Sequence, residues 1–499
     1  MMEYLFTKTP LAFFVQNLWR DEAFTFVLSE QSVGNILKST AADFNPPLYY
    51  LVMHYWMMIF GSSEVAMRSL SLVFYVLTIF IMFEILVLVF KIPFKRALVY
   101  FSLIIVNPVL LTYAFEARMY MMATFFVTLS YFALMTGRKK LYIVAITFAL
   151  YTHYFTVLIL LAQILVHMLS SHSSISWIPD LRSLHSLVRN DNKNSVYQFI
   201  IHNSIFIIPF ALFVPWLLFL VSFHSFGSSE FWVIKQPIGD IIYLPFVLFT
   251  GYQRVFGEYY HGAAGYTNFH TIITIIVSAI VLLPILLHNQ IKRLTSNVQH
   301  LTILFLWAFL PPTFLYIVSL FTTPIYHPRY FMFSAVGFLL YLILVIDSFL
   351  QIYEKRLLQS VYSHFTPPHF LKKNTAVSFV KRNTLLILIV ILLLFVTGKY
   401  NTLNLKYNAK RTVVPMLREI DLAMNPNDKV YLTRELDYFL AKYYMKNDSI
   451  YIFDIPYEDL PSYIGTVLIP PTRIATGIPT YPVRAFFVYY DRYVVRSEM

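Results

Sequence analysis

The sequence predicts an all-α polytopic membrane protein that ends in a small α/β domain. Three observations lead there. Of the 499 residues, 58% are hydrophobic and only 13% charged, whereas soluble domains run near 45–50% apolar and about 25% charged. The mean hydropathy is +0.62, and the apolar residues gather into long stretches separated by basic connections. After residue 398 the pattern changes to short alternating helix and strand signals.

The apolar stretches lie at 65–90, 97–115, 119–136, 199–223, 269–288, 301–321, 330–349 and 384–398. Most approach the roughly 20 residues that a spanning helix needs. The stretch 141–170 is flanked by Arg138-Lys139-Lys140 before it and Arg182, Arg189 and Lys193 after it. Lys91, Lys95 and Arg96, then Lys292 and Arg293, then Lys355, Arg356, Lys372, Lys373, Lys381 and Arg382 mark the other basic connections. The positive-inside rule puts all of these on the cytoplasmic side. Both ends of 141–170 then face inward, so it crosses twice and turns at Tyr151-Thr152-His153-Tyr154. About ten crossings result, with both termini outside. An outside N-terminus with neither a span nor a signal before it leads us to expect a further helix ahead of residue 1.

Residues 1–398 are thus expected to form the membrane body, with a first outer loop at 15–64 and a basic cytoplasmic loop at 350–383, a surface helix and linker that breaks at Thr366-Pro367-Pro368. Segments 46–60 and 237–250, each opening on proline, are expected to lie as interfacial helices over a cavity. Residues 399–499 are expected to form an extracytoplasmic α/β domain. There the helical pattern at 411–424 leads to KVYLT, RELDYFLAKYYMK and SIYIF. The chain has no cysteine, which removes disulfides and thiolate metal sites. A net charge of +12 follows from basic loops beside spans, so no nucleic-acid partner is invoked.

Charged groups inside spans are costly and usually mark a pathway. Glu84 and Asp347 sit near inner span ends, where interfacial water accounts for them. Asn107-Pro108 breaks a span without a charge beside it. A transporter or flippase, the rival reading, would carry its charges at the midplane. The polar residues gather instead at the outer boundary: Asp21, Glu22, Asp43, Arg118, Tyr120, His153, Tyr154, His327, Arg329 and Tyr330. Two arginines at one depth suit an anionic lipid headgroup, because the guanidinium fork binds phosphate bidentately and stays charged. Each also has a plain alternative: Arg68, Arg118 and Arg329 as snorkelling anchors, His153 as a packed interfacial histidine, and the acids as loop solvation or helix caps.

DEAF at 21–24, DFNPPLYYL from Asp43, and FGSSEVAMRSLS from Phe60 resemble the first outer loop and following span of GT-C type membrane glycosyltransferases. More narrowly the chain resembles glycosyltransferase family 39, the protein O-mannosyltransferases and their prokaryotic relatives, with the aminoarabinose transferases close by. EARMY, THY, FWVI and PRY recur in the family's order. The resemblance covers roughly residues 15–350. It implies the GT-C fold, an active site outside the plasma membrane, and transfer of a mannose-like sugar from a polyprenyl-phosphate donor to a protein, lipid or glycan acceptor. It maps the catalytic base onto Asp21, with Glu22 beside it. It also maps donor-phosphate binding onto Arg118 and Arg329, with Tyr330; Tyr120 and His153 lie at the same depth. Asp43, Asn45 and His327 are the candidates to orient the acceptor. Asn45 departs from the family, whose members often carry a charged residue or histidine before the double proline.

This chemistry needs stabilisation of a departing phosphate, which arginines supply, and a carboxylate near the acceptor hydroxyl. Single displacement with one base inverts the anomeric centre, whereas retention would need a nucleophilic carboxylate. No D-x-D, P-loop or G-x-G-x-x-G pattern points to a nucleotide. The monophosphate leaving group requires no divalent cation, and the acids with a histidine leave room for one.

Overall fold

The computed structural model describes residues 2–171, 195–223, 232–252, 267–286, 298–364, 375–407 and 413–499. The Thr366–Pro368 break and the basic connections at 182–193 and 292–293 lie outside the described residues. Two short helices, α1 (Met2–Lys8) and α2 (Ala12–Val15), lead into α3 (Arg20–Ser29), α4 (Val33–Ala42) and α5 (Leu48–Phe60). Helix α6 (Glu64–Glu84) starts at Ser63, whose side chain accepts from the Ala66 backbone N–H, and ends in a π turn at 85–89.

Next come α7 (Phe94–Ile105) and α8 (Pro108–Ala114), bent by 60° at the Asn107-Pro108 break. Proline cannot continue α7, and Asn107 caps α8 by accepting from Leu110 N–H at 3.2 Å. Then follow α9 (Tyr120–Met135), α10 (Lys139–Thr152) and α11 (Val157–Ser171). The stretch 141–170 therefore is two helices, parted at His153 by one 3₁₀ turn. Helix α12 (Ser195–Val221) and a 3₁₀ turn at 238–243 precede α13 (Leu244–Thr250). The body closes with α14 (Thr267–Leu286), α15 (Val298–Phe321), α16 (Met332–His364) and α17 (Thr375–Tyr407).

Among the described residues, five helices are long and apolar enough to cross a membrane, or six if the bent pair counts as one span. The expected number was larger because 119–136 and 141–170 form helices of 14–16 residues, short of a full span by themselves. The segment from Pro328 to Glu354 is the pillar of the body: 94% of its apolar window is buried, against 33–50% for the other spans. Gly337 makes its crossing with α15 possible. A Cβ there would lie 2.6 Å from Trp307, whose ring stacks on Tyr131 at 4.0 Å.

Three expectations are corrected. Helix α16 continues through the expected loop start at 350 as far as His364. Asp347 does not reach interfacial water; it is fully buried and bonded to Gln351 (2.8 Å) and Tyr100 (3.3 Å), with Arg96 at 3.5 Å. Helix α17 runs past 398 to Tyr407. The polar residues that look like a loop there turn back onto the α7–α8 break. Asn401 Nδ2 donates to Val106 O at 2.9 Å and Asn404 Nδ2 to Thr112 Oγ1 at 3.2 Å. Asn401 satisfies a carbonyl that the break leaves open, and Asn404 ties α17 to α8 through the Thr112 hydroxyl.

The C-terminal domain holds α18 (Val414–Ala423), β1 (Lys429–Leu432), α19 (Tyr438–Tyr444), β2 (Ile450–Phe453), β3 (Ile474–Ala475), β4 (Ala485–Val488) and β5 (Tyr493–Arg496). The sheet order is β3-β2-β1-β4-β5, parallel except for the β4–β5 edge pair. Helix α19 seats the domain on α3. Phe439 packs edge-on to Phe24 (5.3 Å) and Tyr443 to Phe26 (4.9 Å), and Tyr444 OH accepts from Leu18 N–H at 2.7 Å.

Candidate active site

Asp21 and Glu22 open α3, and consecutive helical residues point about 100° apart. Glu22 faces α6 and is fully buried against Arg68, also fully buried. Their bond is bidentate: Arg68 Nε donates to Oε1 at 2.8 Å and Nη2 to Oε2 at 2.7 Å. Arg68 also donates to the carbonyls of Phe14 (3.2 Å), Gln16 (2.5 Å) and Asn17 (3.0 Å). All five guanidinium donors are engaged. Glu22 further accepts from the backbone N–H of Trp19 (3.2 Å) and Ala117 (2.9 Å). Arg68 is therefore a core tie and not a lipid anchor, and Glu22 offers no face to a substrate.

Asp21 points the other way. Its Oδ2 accepts from Arg329 Nη1 at 2.9 Å and its Oδ1 from Arg20 Nε at 3.1 Å. Burial pushes this carboxyl up, but Arg20, Arg118 and Arg329 together outweigh it and hold Asp21 well below the usual carboxylate range. Arg329 lies between two indoles, 5.3 Å from Trp19 and 5.0 Å from Trp232.

Arg118 is buried just ahead of α9. Its Nη1 makes only long contacts, to Asp21 O (3.2 Å), Thr25 Oγ1 and Tyr50 OH (both 3.4 Å). The Nε atoms of Arg118 and Arg329 are both buried without a hydrogen-bond partner among the described residues. Two guanidiniums, Arg118 buried and Arg329 partly exposed, with donors to spare describe a receptor for an anion. Burial works against the Arg118 charge; Tyr50, Tyr120, Asp21 and Glu116 outweigh it and keep the group protonated.

Aromatic contacts carry the cluster onward. Tyr120 lies 6.0 Å from the Arg118 guanidinium and 5.8 Å from the His153 ring. His153 neighbours Tyr330 (6.1 Å), which neighbours His327 (5.7 Å). His327 packs on Trp232 (5.1 Å), and its Nδ1 accepts from Arg329 N–H (3.3 Å). Burial, with Arg118 adding to it, lowers His153 to about 3. His327 is likewise held neutral by burial and Arg329, with Asp21 opposing. Uncharged imidazoles therefore face the arginines.

On the flank, Asp43 ends α4, and Asn45 Nδ2 donates to its Oδ2 at 2.5 Å. Phe44 between them holds φ +55°, a strained conformation for a non-glycine residue, with its ring 5.1 Å from Tyr154. Burial raises Asp43 to about 7, against the Asn45 bond and Arg118 and with Asp21.

The sequence candidates Asp21, Arg118, Tyr120, His153, His327, Arg329 and Tyr330 thus meet in one cluster, with Asp43 and Asn45 on its flank and Glu22 behind it. Glu116, Trp19, Trp232 and Phe24 were not foreseen. Glu116 and Trp232 stood in the EARMY and FWVI motifs; Trp19 and Phe24 flank the acidic pair. Among the described residues no three His, Cys, Asp or Glu side chains gather in a metal-holding arrangement.

No protein-family model matches the chain, and no curated protein matches it. Solved structures do align. The crystal structure of ArnT from Cupriavidus metallidurans bound to undecaprenyl phosphate superposes with a TM-score of 0.54 at 14% identity, covering 97% of this chain and 93% of that one. The chain has the ArnT-like GT-C fold. The apo crystal structure of the same ArnT aligns with a TM-score of 0.49 at 13% identity, over 89% of this chain and 82% of that one. In this fold the arginine cluster sits where α3, the α8–α9 turn, the α10–α11 turn and the start of the buried pillar converge.

Proposed function

We propose that the protein transfers a sugar from a polyprenyl-phosphate donor to an acceptor hydroxyl at the outer face of the membrane, inverting the anomeric centre. The observation that carries this reading is the pair of arginines, each with a buried Nε that has no partner among the described residues, beside two carboxylates. ArnT of the same fold was crystallised with undecaprenyl phosphate, which supports a polyprenyl-phosphate ligand. An open apolar groove of about 720 Å³, lined by Ile241, Leu244, Val281, Phe305, Phe309 and Ile317, offers an isoprenoid tail an apolar surface.

The donor phosphate is received by Arg118 and Arg329, with Tyr120 and Tyr330 alongside. As the bond from C1 to the phosphate oxygen breaks, its electron pair passes to that oxygen, and the two guanidiniums stabilise the charge. The acceptor oxygen attacks C1 from the opposite face. Its proton goes to Asp21, whose basicity rises when phosphate competes for Arg329. Asp43 and Asn45 orient the acceptor. Glu22 serves the scaffold through Arg68.

The test is a transfer assay in membranes with radiolabelled polyprenyl-phosphate mannose, glucose and aminoarabinose, following release of polyprenyl phosphate. Turnover that Asp21→Asn abolishes while undecaprenyl-phosphate binding persists supports the reading. Donor that binds and reappears on the opposite leaflet without release would replace it with a flippase.

A further inference from the structure

Phe24 links the C-terminal domain to the arginine cluster. Its ring is buried between two sets of neighbours. On the cluster side it lies 6.0 Å from the Arg118 guanidinium and edge-on to Tyr50 at 6.3 Å. Tyr50 OH is itself 3.4 Å from Arg118 Nη1. On the domain side Phe439 of α19 meets it edge-on at 5.3 Å, and Gly465 closes over it. A Cβ on Gly465 would stand 2.3 Å from Phe24 Cε2, and the glycine holds φ +85°. Only glycine admits both that backbone and that approach.

We propose that the C-terminal domain is a positioning element of the site, with Gly465 and Phe439 seating Phe24 against Arg118 and Tyr50. The inference rests on the anion-receptor reading of Arg118 and adds a role for residues more than 300 positions away in the chain. Arg118 has no short hydrogen bond from its Nη1 to hold its orientation; its contacts there are 3.2–3.4 Å. Its place is therefore set by packing, and the packing on the Phe24 side is supplied by the domain. A side chain at 465 has to displace Phe24, because a protein interior has no slack for a methyl group at that distance.

Gly465→Val, Phe439→Leu and the double variant Gly465→Val/Phe24→Leu would be compared with wild type as purified full-length chains. Two readouts are taken: hydrogen exchange of the backbone at 116–120, which needs no ligand, and the dissociation constant for undecaprenyl phosphate. Gly465→Val is expected to speed exchange at 116–120 and weaken binding about tenfold, about 1.4 kcal/mol. The double variant should recover part of both. Phe439→Leu, which opens space and forces nothing apart, should show the same direction at smaller size and covers the case in which Gly465→Val does not fold. Unchanged exchange at 116–120 in Phe439→Leu and in any folded Gly465→Val overturns the proposal. If the wild type does not bind undecaprenyl phosphate, the functional reading falls, and the exchange data still decide the coupling.

Discussion

Asp21 and Glu22 are neighbours in sequence, both carboxylates, both paired with an arginine from a distant segment, and their surroundings are opposite. Around Glu22 every donor of Arg68 has an acceptor and neither side chain sees solvent. Around Asp21 the partner Arg329 keeps a buried Nε without an acceptor among the described residues, and both side chains retain 14–15% exposure. A saturated pair holds structure together, because nothing else can bind it without breaking it. An unsaturated pair has capacity for a ligand. The difference lies in the bonds that remain to be made, and burial alone does not reveal it.

The comparison can be broken most severely at the saturated pair. Glu22→Gln leaves Arg68 charged in a site with no water, and removing one partner of a buried pair costs about 3–5 kcal/mol. The expected outcome is little folded protein on fluorescence-detected size exclusion in detergent, with a sharply lowered melting temperature. Asp21→Asn should behave in the reverse way. Its melting temperature is expected to stay near wild type, and transfer to fall by about 10²–10⁴, the usual worth of a general base. A stable Glu22→Gln or an unfolded Asp21→Asn would dissolve the distinction.

Asp43 sharpens it along a pH axis. With the carboxyl raised to about 7 by burial, the charged form dominates above that pH and the neutral form below it. If charged Asp43 orients the acceptor hydroxyl, kcat/KM for the acceptor falls as pH drops through 7, by about tenfold between pH 8 and pH 6. Asp43→Asn should flatten that limb, whereas Asp21→Asn should lower the whole profile. A limb near 7 that survives in Asp43→Asn assigns it to another group.

The cluster was legible because membrane proteins restrict where charge can go. Charge rules placed Asp21, Arg118, His153, His327 and Arg329 at one depth, and the structure gathers them into one cluster, His153 by way of Tyr120 and Tyr330. The acidic pair was harder to read: sequence gives no sign of which carboxylate turns toward Arg68, since that depends on how α3 is rotated against α6. Gly465 carried no signal either. It lies among 3₁₀ turns, and its importance comes from a ring contributed by residue 24. The end of α17 was missed for a related reason. The pattern change after 398 hides the end of the helix, and the polar Asn401 and Asn404 there bond Val106 O and Thr112 Oγ1 of the α7–α8 break, about 300 residues earlier.

The smallest expected effect concerns how the unsaturated pair is held. Arg329 has no bidentate carboxylate to fix it; two indoles flank it instead, Trp19 at 5.3 Å and Trp232 at 5.0 Å. A cation between aromatic faces gains about 0.5–1 kcal/mol at partly exposed sites and keeps its N–H edge open. Trp232→Leu preserves an apolar wall and removes the ring's negative face. Binding of undecaprenyl phosphate should weaken by about two- to fivefold, with no change in melting temperature beyond a few degrees. Arg68, fixed by acceptors and not by rings, tolerates no such graded loosening. A Trp232→Leu variant that loses the fold would mean that Arg329 belongs with Arg68 as scaffold, and that the donors left on its guanidinium serve no ligand.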